Sequence, residues 1–156
     1  MQFDLIAIGK RMPAWVDSAF NEYSKRLPKK INFNLIEIAP AARSKNRNSK
    51  QLKKIEEEKF TTSITNNSLV IALDEKGKSI SSRELSIALQ TWIDNQQHVS
   101  ILVGGPDGLS PSIKDKADEI WSLSKMTLPH NLARIVIIEQ IYRAWSIINC
   151  HPYHRE

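Results

Sequence analysis

The chain is poor in the residues that build disulfide-bonded or metal-holding scaffolds. Its 156 residues include one cysteine, and Cys150 alone closes no intrachain disulfide and completes no four-cysteine metal site. Long apolar runs are missing too. Segments such as Ile135–Ile138 fall far short of the roughly 20 residues that a membrane-spanning helix needs. The first residues, Met1-Gln2-Phe3-Asp4, carry an acid where a secretory leader would carry basic side chains, and no long apolar segment follows. Internal repeats, low-complexity tracts and linker-like stretches are also missing. What is present is ordinary for a globular protein: 41% hydrophobic and 25% charged residues, in a length that suits one domain with one core. These features exclude a disordered chain, a collagen-like chain and a coiled coil, and they predict a cytoplasmic, metal-free protein.

The charge is uneven. In all, 22 Lys+Arg face 17 Asp+Glu, a net +5. Residues 1–60 carry 13 basic and 7 acidic side chains, whereas residues 61–156 carry 9 and 10. Six of the twelve residues from Arg43 to Lys54 are basic (Arg43, Lys45, Arg47, Lys50, Lys53 and Lys54) and none is acidic. Such a patch fits a polyanion, because each neutralised phosphate releases counterions. It equally fits a solvated loop and helix face balanced by Glu56-Glu57-Glu58.

Strand and helix signals alternate along the chain. Phe3–Ile8 is an apolar run ended by Gly9 and predicts a first strand. Pro13 opens a stretch with Trp15, Ala19, Phe20, Tyr23 and Leu27 near helical spacing, and Pro28 stops it. Phe33–Ile38 alternates as a strand, and a helix is expected over Ser49–Thr62. Ser68–Leu73 lacks polar alternation, as a strand buried on both faces does. Ser81 and Glu84 have capping-box spacing ahead of a helix bearing Leu85, Ala88, Leu89 and Trp92. His98–Val103 predicts a fourth strand, Ser110-Pro111 the start of a short helix, and Ile120–Leu123 a short strand. The last helix, over about Leu132–Ile148, is apolar on most of its circumference. That calls for burial on more than one side and suggests a subunit interface. The alternation predicts a parallel α/β sheet flanked by helices on both faces, with ligands beyond the carboxyl ends of its strands.

Three strand ends then stand out: Leu73–Gly77, Val103–Gly108 and Leu123–His130. Gly104-Gly105-Pro106-Asp107-Gly108 has neither the spacing of a dinucleotide fingerprint nor the ending of a P-loop. Its glycines permit either a close ligand approach or a tight turn. The third segment offers backbone amides and carbonyls with few fixed charges, which suits a neutral face such as an adenine ring. Asp74-Glu75 could supply acid–base carboxylates, though a solvated turn is the expected setting. His151 and His154 are too poorly supported by other ligands, with Pro152 between them, to hold a metal. A tail of His, Tyr, His and Arg suits contact with a base and its phosphate, or is simply solvated. Cys150 is expected to be a buried, inert thiol.

Several of these segments, in order and over essentially the whole length, resemble the RlmH family of SPOUT-class methyltransferases of bacterial 23S ribosomal RNA. They are Ala7-Ile8-Gly9-Lys10, Ile101–Leu109, Leu123–His130, Glu139-Gln140-Ile141-Tyr142-Arg143-Ala144 and Tyr153-His154-Arg155. The resemblance implies a SPOUT-type α/β fold with a C-terminal trefoil knot, acting as a homodimer. It implies S-adenosylmethionine as cofactor and methylation of N3 of pseudouridine 1915 in 23S rRNA, within the assembled ribosome. Carried over by position, cofactor contacts fall at Leu73, Gly104 and Leu123, Ser124, Lys125, Met126, Thr127 and Leu128.

Methyl transfer from a sulfonium needs an aligned nucleophile and loss of the N3 proton, with no metal required. The candidates are His130, Arg143, Tyr153, His154 and Arg155. A histidine would take the proton, or an arginine would stabilise charge developing on the flanking carbonyls. The basic stretch Arg43–Lys54 would then hold RNA. A non-catalytic ribosome-binding module of the same fold, or a small nucleotide-binding regulator, are the other readings.

Overall fold

The computed structural model describes residues 1–42 and 48–154. Ten elements follow in order: β1 (Gln2–Ile8), α1 (Ala14–Ser24), β2 (Asn32–Ile38), α2 (Ser49–Ser63), β3 (Leu69–Ser79), α3 (Ser82–Asp94), β4 (Val99–Val103), α4 (Pro111–Lys116), β5 (Glu119–Ser122) and α5 (His130–Ile148). The strands form one sheet in the order β2-β1-β4-β3-β5, and every neighbouring pair is parallel. The expected parallel α/β sheet is therefore the observed one.

Strand β1 shows why helices cover both faces. Phe3, Leu5 and Ala7 point into a core shared with Phe20 of α1, Leu89 and Trp92 of α3, and Ile137, Ile138 and Ile141 of α5. Ile6 and Ile8 point the other way, into a core with Phe60 of α2 and Ile113 of α4. Because side chains alternate along a strand, a near-continuous apolar run fills two cores. The capping signals hold. Ser81 accepts from the Glu84 amide while Glu84 accepts from the Ser81 amide, and Ser110 caps α4 with Pro111 behind it.

Three local expectations need correction. Strand β3 does not stop at Leu73. Leu73 and Lys78 both register with Trp121, so residues 74–77 bulge between two pairings with β5. Gly77 makes this possible, since a Cβ there would lie 2.5 Å from the Trp121 carbonyl carbon. Asp74-Glu75 is thus part of an irregular strand rather than a solvated turn. A periodicity reading does not see such a shift, because it arises from pairing with a strand some 45 residues away in sequence. Second, α5 starts at His130, one residue past Pro129, rather than at Leu132. Third, Cys150 is exposed. It sits at φ +51°, in the left-handed turn where the chain reverses after α5. The His151 amide closes that turn on the Ser146 carbonyl at 2.8 Å, and the thiol faces outward.

Among the described residues no helix is long and apolar enough to cross a membrane. Much of the apolar circumference of α5 is spent within the chain, against the sheet, α1 and α3. Ile135, Val136, Ile147 and Ile148 stay half-buried.

Candidate functional site

A cavity of about 740 Å³ opens beyond the carboxyl ends of β3, β4 and β5. Leu73 ends the first pairing of β3, Val103 ends β4 and Ser122 ends β5, and all three line it. The Gly104–Leu109 loop forms one wall. It is folded tightly on itself: the Gly108 amide donates to the Gly105 carbonyl at 2.9 Å, and Gly108 adopts φ +71°. A Cβ on Gly104 would lie 2.7 Å from the Gly108 carbonyl carbon and 2.8 Å from the Leu109 nitrogen, so only glycine fits there. The opposite wall is the segment before α5. The Ser122 hydroxyl donates to the Ser124 carbonyl, and the Ser124 hydroxyl accepts from the Met126 amide, both at 2.9 Å, which shapes the turn.

Of the eight expected cofactor positions, Leu73, Gly104, Leu123, Ser124, Met126, Thr127 and Leu128 line this one cavity. Lys125, an exposed residue of the same turn, does not. Charged groups stand at the rim. Lys114 pairs with Asp74 at 3.0 Å. Burial opposes ionisation of Asp74, but the Lys76 amide and Lys114 outweigh it and hold the carboxyl below its usual range. Lys53 reaches the lining from α2. Lys50 and Lys54 are exposed on α2, and Arg43, Lys45 and Arg47 lie outside the described residues.

The expected catalytic residues divide into two groups. His130, the first residue of α5, lines the cavity. Arg143, thirteen residues further along the same helix, is therefore about 20 Å away along its axis. Glu139 gathers the second group. Its Oε1 accepts from Arg143 Nε at 3.0 Å and Nη2 at 2.6 Å, and from the Tyr153 hydroxyl at 2.8 Å. The Arg143 guanidinium also lies 5.0 Å from the Tyr153 ring centroid. His154 Nδ1 lies 3.3 Å from the Ser146 hydroxyl. Burial, then bonds to Tyr23 and Glu139, push the Tyr153 phenol well above its ordinary pKa, so it stays a donor. Arg155 lies outside the described residues.

Two important side chains were not singled out from the sequence. Arg134 is 1% exposed. Its Nη1 donates to Glu37 at 2.8 Å, and its Nη2 donates to the Ile8 and Gly9 carbonyls, both at 2.9 Å. It ties the start of α5 to the ends of β1 and β2, one turn from His130. Its signal was its isolation, as the one charge in the run Leu132–Ile138. Glu139 was visible through its i,i+4 spacing to Arg143.

Burial, then the Arg134 guanidinium, lower the pKa of His130. The imidazole is therefore neutral near pH 7 and can accept a proton. The unfolded chain binds that proton first on acidification. Stability is therefore lost as pH falls from about 6.5 towards the folded-state value. NMR titration should place the His130 midpoint below about 6.5, and His130→Gln should shrink the acid-side loss of stability. A midpoint at or above the ordinary histidine value would contradict this.

The family model described as "Predicted SPOUT methyltransferase" matches residues 1–154. The chain belongs to the SPOUT methyltransferase family. It is 46% identical over 156 residues to a protein of Thioalkalivibrio sulfidiphilus named "Ribosomal RNA large subunit methyltransferase H", covering 100% of both chains. It is 48% identical over 155 residues to a Saccharophagus degradans protein of the same name, covering 99% of this chain and 100% of that one. A solved structure described as a probable methylase family protein from Haemophilus influenzae Rd KW20 superimposes with a TM-score of 0.59 at 13% identity. It covers 99% of this chain and 70% of that one, and shows the shared fold. In this SPOUT methyltransferase the glycine loop after β4 and the turn before α5 are the two facing walls of the cavity.

Proposed function

We propose that this protein methylates large-subunit ribosomal RNA, using S-adenosylmethionine and acting as a cytoplasmic homodimer. The proposed target is N3 of the pseudouridine at position 1915 of 23S rRNA, in the assembled ribosome, as the family resemblance implies. The observation that carries this reading is the convergence of seven of eight expected cofactor positions on one cavity at the strand ends. The cofactor's shape fits what lines it. Leu73, Leu123, Met126 and Leu128 offer apolar surface, the two loops offer backbone polar groups, and Gly104 keeps one wall clear of side chains. When bound, S-adenosylmethionine supplies an electrophilic methyl group on a sulfonium.

The chain's own residues then orient the base and manage the N3 proton. Neutral His130 is in the cavity and can accept it. Arg143 lies about 20 Å along the helix from His130, and Tyr153 and His154 are held on the same helix at Glu139 and Ser146, so none of the three lines the cavity of its own chain. A second copy would bring its tail there, where Arg143 would stabilise charge developing on the carbonyls flanking N3. Arg155 joins the same proposed role. The cofactor loops are the ones the resemblance assigns to a knot. Lys50, Lys53 and Lys54, with Arg43, Lys45 and Arg47, would hold RNA phosphates.

The test is to incubate unmodified ribosomes with the protein and labelled cofactor and to map the methylated nucleotide. Label at N3 of that pseudouridine is expected. Label elsewhere, or none, overturns the reading; ribosome binding without cofactor binding would indicate a non-catalytic module. Removing residues 153–156 should abolish methylation while calorimetry still shows cofactor binding. Near-normal methylation by the truncated protein would remove the tail from the reaction.

A further inference from the structure

Lys25, Arg26, Lys29 and Lys30 stand at the C-terminal end of α1 and in the turn after it, and all are exposed. The neighbouring acid, Glu22, pairs with Arg26. Lys25, Lys29 and Lys30 take part in no ion pair among the described residues. The dipole of α1 favours the cations just past its end, Lys25 at the C-cap and Arg26 after it, its last turn holding no basic residue. It does not account for Lys29 and Lys30, which follow Pro28 and lie beyond the helix, which ends at Ser24.

The cluster is continuous with the tail. The Arg26 guanidinium lies 5.8 Å from the ring centroids of both Tyr23 and Tyr142. Tyr142 meets Tyr153 edge-on at 4.7 Å, and Arg143 lies over the far ring. A chain of ring contacts thus runs from Arg26 through Tyr142 and Tyr153 to Arg143, with a cation at each end. Tyr23 and Tyr153 are only half-buried, and His151 is exposed. Parallel pairing puts the end of α1 and the end of α5 at the amino ends of the strands, away from the chain's own cavity. The cluster also lies on the sheet face opposite α2 and its lysines.

We propose that Lys25, Arg26, Lys29 and Lys30 form one RNA-binding surface with the tail rings. The lysines hold backbone phosphates, and Tyr153 and His151 stack on unpaired bases. Phosphate contacts fix register, and ring stacking favours single-stranded RNA over a helix, so exposed cations beside the half-buried Tyr153 and the exposed His151 match that partner. This surface deepens the rRNA methyltransferase reading and rests on it: it would grip the RNA strand next to the modified base, on the side opposite the α2 segment.

The test is the triple variant K25E/K29E/K30E, measured against a 12-nucleotide oligouridine and against purified ribosomes over a range of salt. Affinity at low salt should fall at least tenfold, and the log–log salt slope should flatten by about 2, from three phosphate contacts at roughly 0.7 each. Cofactor binding by calorimetry and the melting temperature should stay at parental values, and K25R/K29R/K30R should restore RNA binding. If the triple variant is poorly folded, Lys29→Glu alone should flatten the slope by about 0.7. A parental slope and affinity in the folded variant overturns the surface, as does a parent protein that binds neither probe. A flattened slope in a protein that transfers no methyl group would overturn the methyltransferase reading and leave the surface standing.

Discussion

Arg134→Ala should destabilise the protein by about 3–5 kcal/mol, the usual consequence of breaking a buried charge network. For a chain of this size that corresponds to a fall in Tm of roughly 6–20 °C. The guanidinium is 1% exposed and satisfies three acceptors: Glu37 and the Ile8 and Gly9 carbonyls. Alanine leaves two backbone carbonyls at the end of β1 without a donor and opens a cavity at the start of α5. Methionine would fill the space but not the hydrogen bonds, so Arg134→Met should recover only part of the loss. Lysine keeps the charge but lacks the planar fork that reaches two carbonyls and a carboxylate together, and Arg134→Lys should fall between. Glu37→Gln should be milder, because the Glu37 side chain is 31% exposed and water can replace it. Denaturant unfolding reads all four variants. An Arg134→Ala protein as stable as the parent would show that α5 is held by its apolar contacts alone.

The alternation of strands and helices was legible because the local signals agreed with the global fold. The apolar run Leu69–Leu73, and Val99–Val103 broken only by Ser100, marked central strands, and Ser81 and Ser110 marked helix starts. The order β2-β1-β4-β3-β5 was not legible, since nothing local records which strands become neighbours. The double registration of β3 on Trp121 belongs to the same class, because it depends on the partner strand.

The site divided in the same way. Resemblance and strand-end reasoning found the cavity, because parallel sheets place loops from β3, β4 and β5 together. Lys125, between Ser124 and Met126, is the one expected cofactor position that does not line the cavity, although its backbone belongs to the same turn. His130 and Arg143 were both candidates for the same chemistry, and one continuous helix sets them about 20 Å apart along its axis. Arg134 escaped notice because an arginine in an apolar helix looks like a break in the pattern. Its partners, the ends of β1 and β2, are about a hundred or more residues away in sequence.

The three glycines of the loop after β4 should respond very unequally to alanine. At Gly104 the added methyl would sit 2.7 Å from a backbone carbon and 2.8 Å from a backbone nitrogen. Neither atom can rotate away, so the whole loop must shift, with overpacking worth about 1–3 kcal/mol. That loop is one wall of the cavity. Gly104→Ala should therefore weaken S-adenosylmethionine binding by at least roughly tenfold, equivalent to about 1.4 kcal/mol. At Gly105 the nearest obstacle is the Ile8 Cγ2 methyl at 3.1 Å, a side-chain tip that can yield by a few tenths of an ångström. At Gly108 there is open space but φ is +71°, and a side chain there costs about 1–2 kcal/mol in backbone strain. Gly105→Ala and Gly108→Ala should thus lower stability modestly and keep most cofactor affinity. Calorimetric titration of the three variants separates the cases. Equal affinities across the series would mean that the loop is not the cofactor wall, whatever its shape.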